Sequence, residues 1–257
     1  MAWRIFRFSL RRFNVFASLV LIIQAIILLF IGRGSSGVRP VTISYLTKDN
    51  LASRAQGQSV LAQASHHLVS INLLYLVAAF LLVSGVSYFL SATIFNRTYK
   101  EDLQVNYNRQ RWIGLAVSTA LMMATIALLV GIYDLPSLIL IAGLTALAAL
   151  LGLLLEVVRP ANWLSFWFGA GAIVLPWVVI ILYLWGAYAY GSSLPVYIYW
   201  LLITMVLLFA SLIVNTGFQR QKIGHWENYL FGEKMSIVLN LIAQTALAWQ
   251  IFAGTLH

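Results

Sequence analysis

The residues most able to do chemistry form a polar stripe in the last apolar segment of the chain. Ser236, Asn240 and Gln244 are spaced four residues apart, so on an α-helix they share one face. Their side chains donate and accept hydrogen bonds, but an amide nitrogen is not a nucleophile at neutral pH. Because bare polar groups are costly inside a bilayer, the stripe is predicted to face the protein interior. It serves either a hydrogen-bond network between helices or contacts with a bound ligand.

Charged side chains near the ends of apolar segments form a second group of candidates. We interpret Glu156 and Glu233 as ion-pair partners of Arg111, Arg159 or Lys234, rather than as proton carriers. His66 and His67 lie at the outer end of the second predicted helix, where adjacent side chains diverge, and they lack the companion ligands of a metal site. No nucleophile–base pair is visible, and cysteine is absent. The sequence therefore predicts no enzyme and no metal site.

The composition indicates that this chain is surrounded by lipid. Of its 257 residues, 61% are hydrophobic and only 9% are charged, unlike the balance of a soluble domain. The formal net charge of +9 is spread over segment ends, whereas nucleic-acid-binding proteins cluster their basic residues on a polar surface. The sequence therefore predicts a multi-pass protein of the cell membrane without a nucleic-acid partner.

Seven apolar runs reach the roughly 20 residues that an α-helix needs to cross a bilayer. They predict an all-α membrane protein with a single domain over 1–257 and helices at 13–31, 68–94, 112–132, 137–158, 163–188, 196–217 and 230–254. Pro176 predicts a kink within the fifth helix. Residues 32–67 form the long outer loop, in which Val41, Ile43 and Tyr45 alternate with polar residues and predict a short strand.

The distribution of basic residues predicts the orientation of the bundle. Seven crossings put the termini on opposite sides of the membrane. The connections on the N-terminal side carry Arg4, Arg7, Arg11, Arg12, Arg97, Lys100, Arg109, Arg111, Arg159, Arg220, Lys222 and Lys234. The other side carries only Arg33, Arg39, Lys48 and Arg54. By the positive-inside rule, the N-terminus is predicted to be cytoplasmic and the C-terminus extracellular.

The approach to the seventh helix and the helix itself resemble a known family, the heliorhodopsins. The resemblance rests on Gly224-x-Trp226-x-x-Tyr229-x-x-Gly232-Glu233, on Leu239 to Gln244 and on Ala248 to Leu256. Weaker matches are Gly152-x-x-x-Glu156, Asn215 with Gln219, and Leu175-Pro176-Trp177. The resemblance implies a rhodopsin-like bundle of the same inverted topology, an outer β-hairpin and a homodimer contact near that hairpin.

Two positions that carry the family's retinal chemistry differ in this chain. The resemblance places the retinal-binding lysine at Gln244 and the counterion glutamate at Gly114, within Arg111-Trp112-Ile113-Gly114-Leu115. Lys234 lies ten residues before Gln244, about 15 Å along a helix axis. Without an amine at 244, retinal is not expected as a Schiff base.

The resemblance also implies which residues surround the former retinal site and the polar pocket beside it. Asn240 takes the position of a family serine, and Leu21 and Tyr88 take those of two family histidines. The residues assigned to the ligand pocket are Gln244, Asn240, Gly114, Tyr88, Leu21, Pro176, Trp177 and Trp249. Those assigned to a cytoplasmic polar network are Arg111, Glu156, Asn215, Gln219 and Glu233.

These expectations describe a heliorhodopsin-like protein without covalent retinal. We expect a non-photochemical binding, signalling or regulatory module whose hydrophobic cavity accepts a lipid or an isoprenoid. Membrane lipid, a second copy of the chain and an unidentified protein are the expected partners. The alternative is a photoreceptor of heliorhodopsin type that holds retinal noncovalently or on another lysine. An ion pump or channel is disfavoured because no ionisable residue is predicted near the membrane midplane.

Overall fold

Seven long apolar helices account for most of the chain. The computed structural model describes residues 9–32, 37–158, 163–191 and 194–255, so Arg4, Arg7, Arg33 and Arg159 lie outside the described residues. The helices able to cross a membrane are α1 (Leu10–Ile31), α3 (Leu73–Ala92), α5 (Arg109–Leu129), α6 (Leu135–Val157), α7 (Trp163–Tyr190), α8 (Val196–Gln221) and α9 (Tyr229–Thr255). The predicted seven-helix membrane class is confirmed.

Shorter elements lie at the two ends of the bundle. The helix α4 (Asn96–Gln104) and a 3-10 turn (Gly224–Glu227) lie at one end of the bundle. We refer to it as the α4 end. At the other, the hairpin end, are the strands β1 (Val38–Lys48) and β2 (Leu61–Asn72), joined through the helix α2 (Asn50–Gln56). Residues 96–104, which lie between the second and third predicted crossings, form a charged, amphipathic helix.

Capping side chains explain where several helices begin. Asn72 accepts a hydrogen bond from the Leu74 amide at 2.9 Å, and Asn108 accepts one from the Arg111 amide at 3.0 Å. Asp134 accepts one from the Ser137 amide at 3.3 Å. Each of these bonds satisfies an N–H group that the first helical turn leaves without a partner. The short polar residue before each apolar run therefore fixes the helix start.

The second crossing begins later than predicted, because its first residues pair as a strand. Antiparallel pairing runs from Val38 opposite Asn72 to Lys48 opposite Leu61, with a register shift after Val41. Residues 68–72 therefore belong to β2, and the predicted start of the helix at 68 is wrong. His66 and His67 also lie on β2, so their expected place at a helix end is wrong too. The strand predicted around Val41, Ile43 and Tyr45 is confirmed as part of β1.

Packing divides the bundle into an apolar half and a polar half. Helix α1 packs along α3, and α5 packs against α3 and α6. Helix α9 closes the ring against α8, α1 and α3. Toward the hairpin end the interior is apolar, with Phe80, Met123, Ile126, Leu201 and Leu247 buried together. Buried charges collect toward the α4 end.

The hairpin is anchored to the bundle at the turn between α5 and α6. The Thr42 amide donates to the Tyr133 carbonyl at 2.8 Å, and the Ser44 amide donates to Asp134 Oδ1 at 3.2 Å. Burial alone would raise the pKa of the Asp134 carboxyl, but hydrogen bonds from Ser137 and Ser44 outweigh burial and lower this pKa. The ionised carboxylate therefore both caps α6 and holds β1.

We predict that Asp134→Ala lowers the free energy of unfolding by about 1 kcal/mol, the usual value of a lost N-cap. Because the folded-state pKa is lowered, this contribution is present above the ordinary aspartate pKa and disappears as the pH falls through the folded-state value. Thermal unfolding in detergent at neutral and acidic pH measures both effects. A stability difference that persists unchanged in acid would contradict the assigned role of the ionised carboxylate.

Candidate ligand-binding site

Arg111 is the centre of a buried polar cluster at the α4 end. It lies in the first turn of α5, which Asn108 caps, and only 7% of its surface is exposed. Its guanidinium forms ion pairs with Glu156 on α6 and Glu233 on α9. The same group lies over the Trp112 ring, 4.5 Å from the ring centroid. The buried positive charge is tolerated because the carboxylates compensate it in a medium of low dielectric constant.

Further hydrogen bonds hold the two carboxylates in place. The Asn108 amide N–H donates to Glu156 Oε2 at 2.9 Å, and the Asn108 side chain donates to Glu233 Oε2 at 2.7 Å. The Tyr229 hydroxyl donates to Glu156 Oε2 at 3.2 Å. Two carboxylates thus share one guanidinium, which leaves one excess negative charge when both are ionised. Another anion beside them is electrostatically disfavoured.

Helix α8 contributes the amide side chains of Asn215 and Gln219 to the same cluster. Arg111 Nη1 donates to Ser236 Oγ at 3.1 Å, and Asn215 Nδ2 donates to the same oxygen at 2.8 Å. The Trp226 indole of the 3-10 turn donates to Asn215 Oδ1 at 2.7 Å. The residues assigned to the polar network from the sequence therefore meet in one cluster: Arg111, Glu156, Asn215, Gln219 and Glu233.

A glycine permits the close approach of α8 and α9. Gln219 Nε2 donates to the Tyr229 carbonyl at 3.1 Å, which brings its side chain against α9. A Cβ atom at Gly232 would lie 2.7 Å from Gln219 Cδ, which is closer than two carbons can approach. Gly232 is therefore needed for this contact, which explains its place in the motif.

A small polar chamber with a cavity volume of about 20 Å³ lies beside Arg111, between α1, α3, α5 and α9. Its lining includes Asn14, Ser84, Ser87, Tyr88, Ser91, Tyr99, Gly114 and Asn240. Burial raises the pKa of the Tyr99 hydroxyl, and the nearby Glu233 carboxylate raises it further, so this phenol stays protonated. Asn14 Nδ2 is buried and has no acceptor among the described residues. Such polar spaces typically hold bound water.

The Gln244 amide joins α9 to α3 next to this chamber. The side chain is fully buried, and Nε2 donates to Ser84 Oγ at 2.5 Å and to Asn240 Oδ1 at 3.1 Å. Asn240 Nδ2 in turn donates to the Tyr88 hydroxyl at 2.9 Å. The polar stripe of α9 therefore faces the interior and connects two helices. Gln244 Oε1 has no partner within the described part of the chain.

An apolar cleft with a cavity volume of about 110 Å³ lies on the other side of Arg111, between α5, α6, α7 and α8. Arg111 and Ser236 form its polar end. Its walls combine small residues with hydroxyl side chains and larger apolar groups. The small residues are Ala148, Ala149, Gly152, Gly169 and Ala170, and the hydroxyl residues are Thr119, Thr145, Ser165, Thr216 and Ser236.

The residues predicted for the ligand pocket do not all line one cavity. Tyr88, Gly114 and Asn240 line the polar chamber, and Gln244 is hydrogen-bonded to Asn240. The Trp177 ring contacts Phe209, a wall residue of the apolar cleft, with 5.7 Å between ring centroids. The structure thus brings four of the predicted residues together and places Trp177 behind the cleft wall.

The remaining predicted pocket residues lie elsewhere. Pro176 is buried inside α7, next to Trp177 in the chain. Leu21 is fully buried in the apolar core rather than in a polar pocket. Trp249 donates to Gln24 Oε1 at 3.2 Å and is 38% exposed, which puts it at the outer surface of the bundle.

Two groups of polar contacts near Arg111 were not predicted from the sequence. Asn108 donates hydrogen bonds to both glutamates. The sequence feature that could have indicated this residue is its N-cap position before an apolar helix. Ser84, Ser87 and Ser91 form, with Tyr88, a stripe at helical spacing on α3 that faces the stripe on α9. Within the described residues, no group of three His, Asp or Glu side chains could hold a metal ion.

The fold and the buried polar cluster together define a seven-helix membrane protein of rhodopsin type. The chain is similar to the transmembrane domain of the Salpingoeca rosetta rhodopsin phosphodiesterase, with 16% identity, a TM-score of 0.63, and coverage of 96% of this chain and 84% of that one. The structure of the same domain with its linker region gives 16% identity, a TM-score of 0.62 and coverages of 96% and 79%. The chain is also similar to a light-driven proton pump, LR (Mac), from Leptosphaeria maculans. The identity is 13% and the TM-score is 0.50, with coverage of 95% of this chain and 91% of that one. At these identities the similarity establishes the fold alone.

The family follows from the sequence as a whole. The heliorhodopsin family profile matches residues 10–256, and the chain belongs to this family. No curated protein sequence matches it significantly. The expectation drawn from the motifs of the seventh helix is thereby confirmed.

Proposed function

We propose that this heliorhodopsin binds a hydrophobic molecule noncovalently and acts as a non-enzymatic, non-photochemical signalling or regulatory module. The observation that carries the proposal is the side chain at 244. The family resemblance puts the retinal-binding amine at this position, where the chain has an amide that is fully buried and bonded to Ser84 and Asn240. An amide cannot form an imine with an aldehyde.

The surroundings of position 114 support the same proposal. A protonated imine inside protein needs a nearby anion, and the resemblance puts that carboxylate at Gly114. A Cβ atom at Gly114 would lie 2.3 Å from Ser87 Oγ, so a larger residue at 114 requires Ser87 to move. The residues at 114 and 244 therefore do not fit covalently bound retinal and its counterion.

The apolar cleft supports retention of a ligand site. Its mostly apolar lining with a few polar groups is typical of small-molecule sites. The membrane itself is the source of such a ligand. The polar cluster connects the cleft to the α4 end, where a signalling partner would respond to occupancy of the cleft.

We further propose that the α4 end faces the cytoplasm and that the protein forms homodimers. The excess of Arg and Lys at the α4 end supports the orientation. Exposed apolar side chains on the hairpin, Tyr45, Leu46 and Leu61 among them, support a contact between copies at the opposite end. Accessibility of single introduced cysteines to an impermeant reagent tests the orientation, and light scattering of Leu46→Lys beside the wild-type protein tests the dimer.

We predict that purified protein mixed with all-trans retinal yields no reduced retinyl adduct after borohydride treatment. The physical reason is that Lys234 is the only lysine in the seven crossing helices, and it lies ten residues from Gln244. Intact and peptide mass spectrometry measures the adduct, with a retinal-binding rhodopsin as positive control. A retinyl group on any lysine at stoichiometric yield would instead support the photoreceptor alternative.

A further inference from the structure

The polar end of the apolar cleft has hydrogen-bond donors without acceptors. Ser236 Oγ accepts from both Arg111 and Asn215, and its own O–H has no acceptor among the described residues. Arg111 Nε also lacks an acceptor there. Both residues line the cleft, and they are only 6% and 7% exposed. Buried donors of this kind are costly unless an acceptor reaches them.

The charge of the cluster limits what that acceptor can be. Arg111 already pairs with Glu156 and Glu233, so the site has one carboxylate more than it has cations. A ligand carboxylate or phosphate would add an uncompensated negative charge in a medium of low dielectric constant. A neutral oxygen accepts the same hydrogen bonds without this penalty. Charge therefore favours a hydroxyl or carbonyl head over an acid.

The shape of the cleft determines the rest of the ligand. From Arg111 to Thr119 it follows α5 for eight residues, about 12 Å of helix axis. Small side chains of α6 and α7 form much of the wall, with Phe166 and Phe209 among the larger groups. Helices α7 and α8 touch only weakly, whereas α6 and α7 pack along their length. A single apolar chain can thus enter laterally from the bilayer.

On these grounds we propose that the cleft binds an uncharged, single-chain lipid with one terminal oxygen, such as an isoprenoid alcohol, with that oxygen accepting from Ser236 and Arg111. This inference rests on the proposed function, because it names the class of ligand in the same cavity. It requires no covalent step and no light. Phospholipids and fatty acids are disfavoured by their charged heads.

Three probes with one carbon skeleton test the proposal. Full-length protein in nanodiscs is titrated with all-trans retinol, retinoic acid and the hydrocarbon axerophthene, with binding followed by tryptophan quenching and native mass spectrometry. We expect retinol to bind at least about tenfold more tightly than retinoic acid, and about tenfold more tightly than axerophthene. Equal or tighter binding of retinoic acid overturns the proposal.

Substitutions locate the binding site. Ser236→Ala should reduce retinol binding to the level of axerophthene and leave axerophthene binding unchanged, which a general loss of structure would not do. Ser211→Ala is the matched control, because its hydroxyl donates to the Leu208 carbonyl at 2.7 Å and it is not part of the cleft lining. Ala149→Phe and Ala170→Phe fill the cleft from two different helices, and both should abolish binding. Retinol binding that survives both folded variants overturns the proposed site.

The outcomes separate this inference from the proposed function. Preference for retinoic acid, or binding outside the cleft, refutes the inference and leaves a noncovalent binding module. Failure of all three probes to bind refutes both. A borohydride-reduced adduct with retinal refutes the proposed function, whereas retinol, which cannot form an imine, still reports on the head-group preference of the cleft.

Discussion

The triple variant Gln244→Lys, Gly114→Glu, Ser87→Ala is expected to form a pigment that absorbs visible light when all-trans retinal is added. Gly114 and Asn240 line the same polar chamber, and Gln244 is bonded to Asn240. A lysine at 244 would therefore lie beside Asn240, next to the chamber that Gly114 lines, and we expect the amine and its counterion to act together there. The Ser87 substitution removes the oxygen that lies 2.3 Å from the position of a Cβ at 114. Absorption spectroscopy before and after acid denaturation measures the product.

Variants with fewer substitutions separate the role of the amine at 244 from that of the carboxylate at 114. Gln244→Lys alone should bind retinal as an unprotonated imine, which absorbs in the near ultraviolet, because no carboxylate stabilises the protonated form. Gln244→Arg with the other two substitutions has the charge but not the nucleophile, and it should remain colourless. If the triple variant folds, as judged by size-exclusion chromatography and circular dichroism, and still forms no imine, then position 244 is not the site of attachment.

Removal of Arg111 is expected to have the largest effect on stability. Arg111→Met leaves Glu156 and Glu233 buried without their cation, and breaking a buried ion pair in this way costs about 3–5 kcal/mol. Arg111 also donates to Ser236, so the connection of α5 to α9 is weakened in the same variant. Equilibrium unfolding in mixed micelles measures the change in free energy.

An exposed ion pair provides the matched control. Arg97 and Glu101 lie 3.1 Å apart on α4, with side chains 92% and 60% exposed. Exposed pairs of this type stabilise a protein by about 0.5 kcal/mol or less, so Arg97→Met should leave the unfolding curve nearly unchanged. Equal costs for the two substitutions would mean that the Arg111 cluster does not stabilise the fold.

The crossing helices could be predicted from local sequence, because a segment that crosses the bilayer must be apolar and must satisfy its own backbone hydrogen bonds. Every apolar run long enough to span the hydrocarbon region satisfies its backbone hydrogen bonds within itself. The start of α3 could not be predicted in this way. Residues 68–72 are apolar enough for a helix, yet Val69 pairs with Val41 across the hairpin. Strand pairing depends on a distant partner, which hydropathy along the chain does not reveal.

Some features of the candidate site could also be predicted from the sequence, and others could not. Helical spacing predicted that Ser236, Asn240 and Gln244 share an inward face, and all three are buried. Spacing could not show that Gln244 bonds Ser84, because that contact joins residues 160 positions apart. Nor could it show that Leu21 lies in the apolar core while Tyr88 reaches the polar chamber.

The class of this protein, its seven crossings and the residues at positions 114 and 244 could be predicted, because they depend on residue type and on spacing along one helix. The packing of the helices was needed to show that Arg111 pairs with two carboxylates and lies between a polar chamber and an apolar cleft. Charge balance and cavity shape arise where several helices meet. No single segment of the chain contains that information.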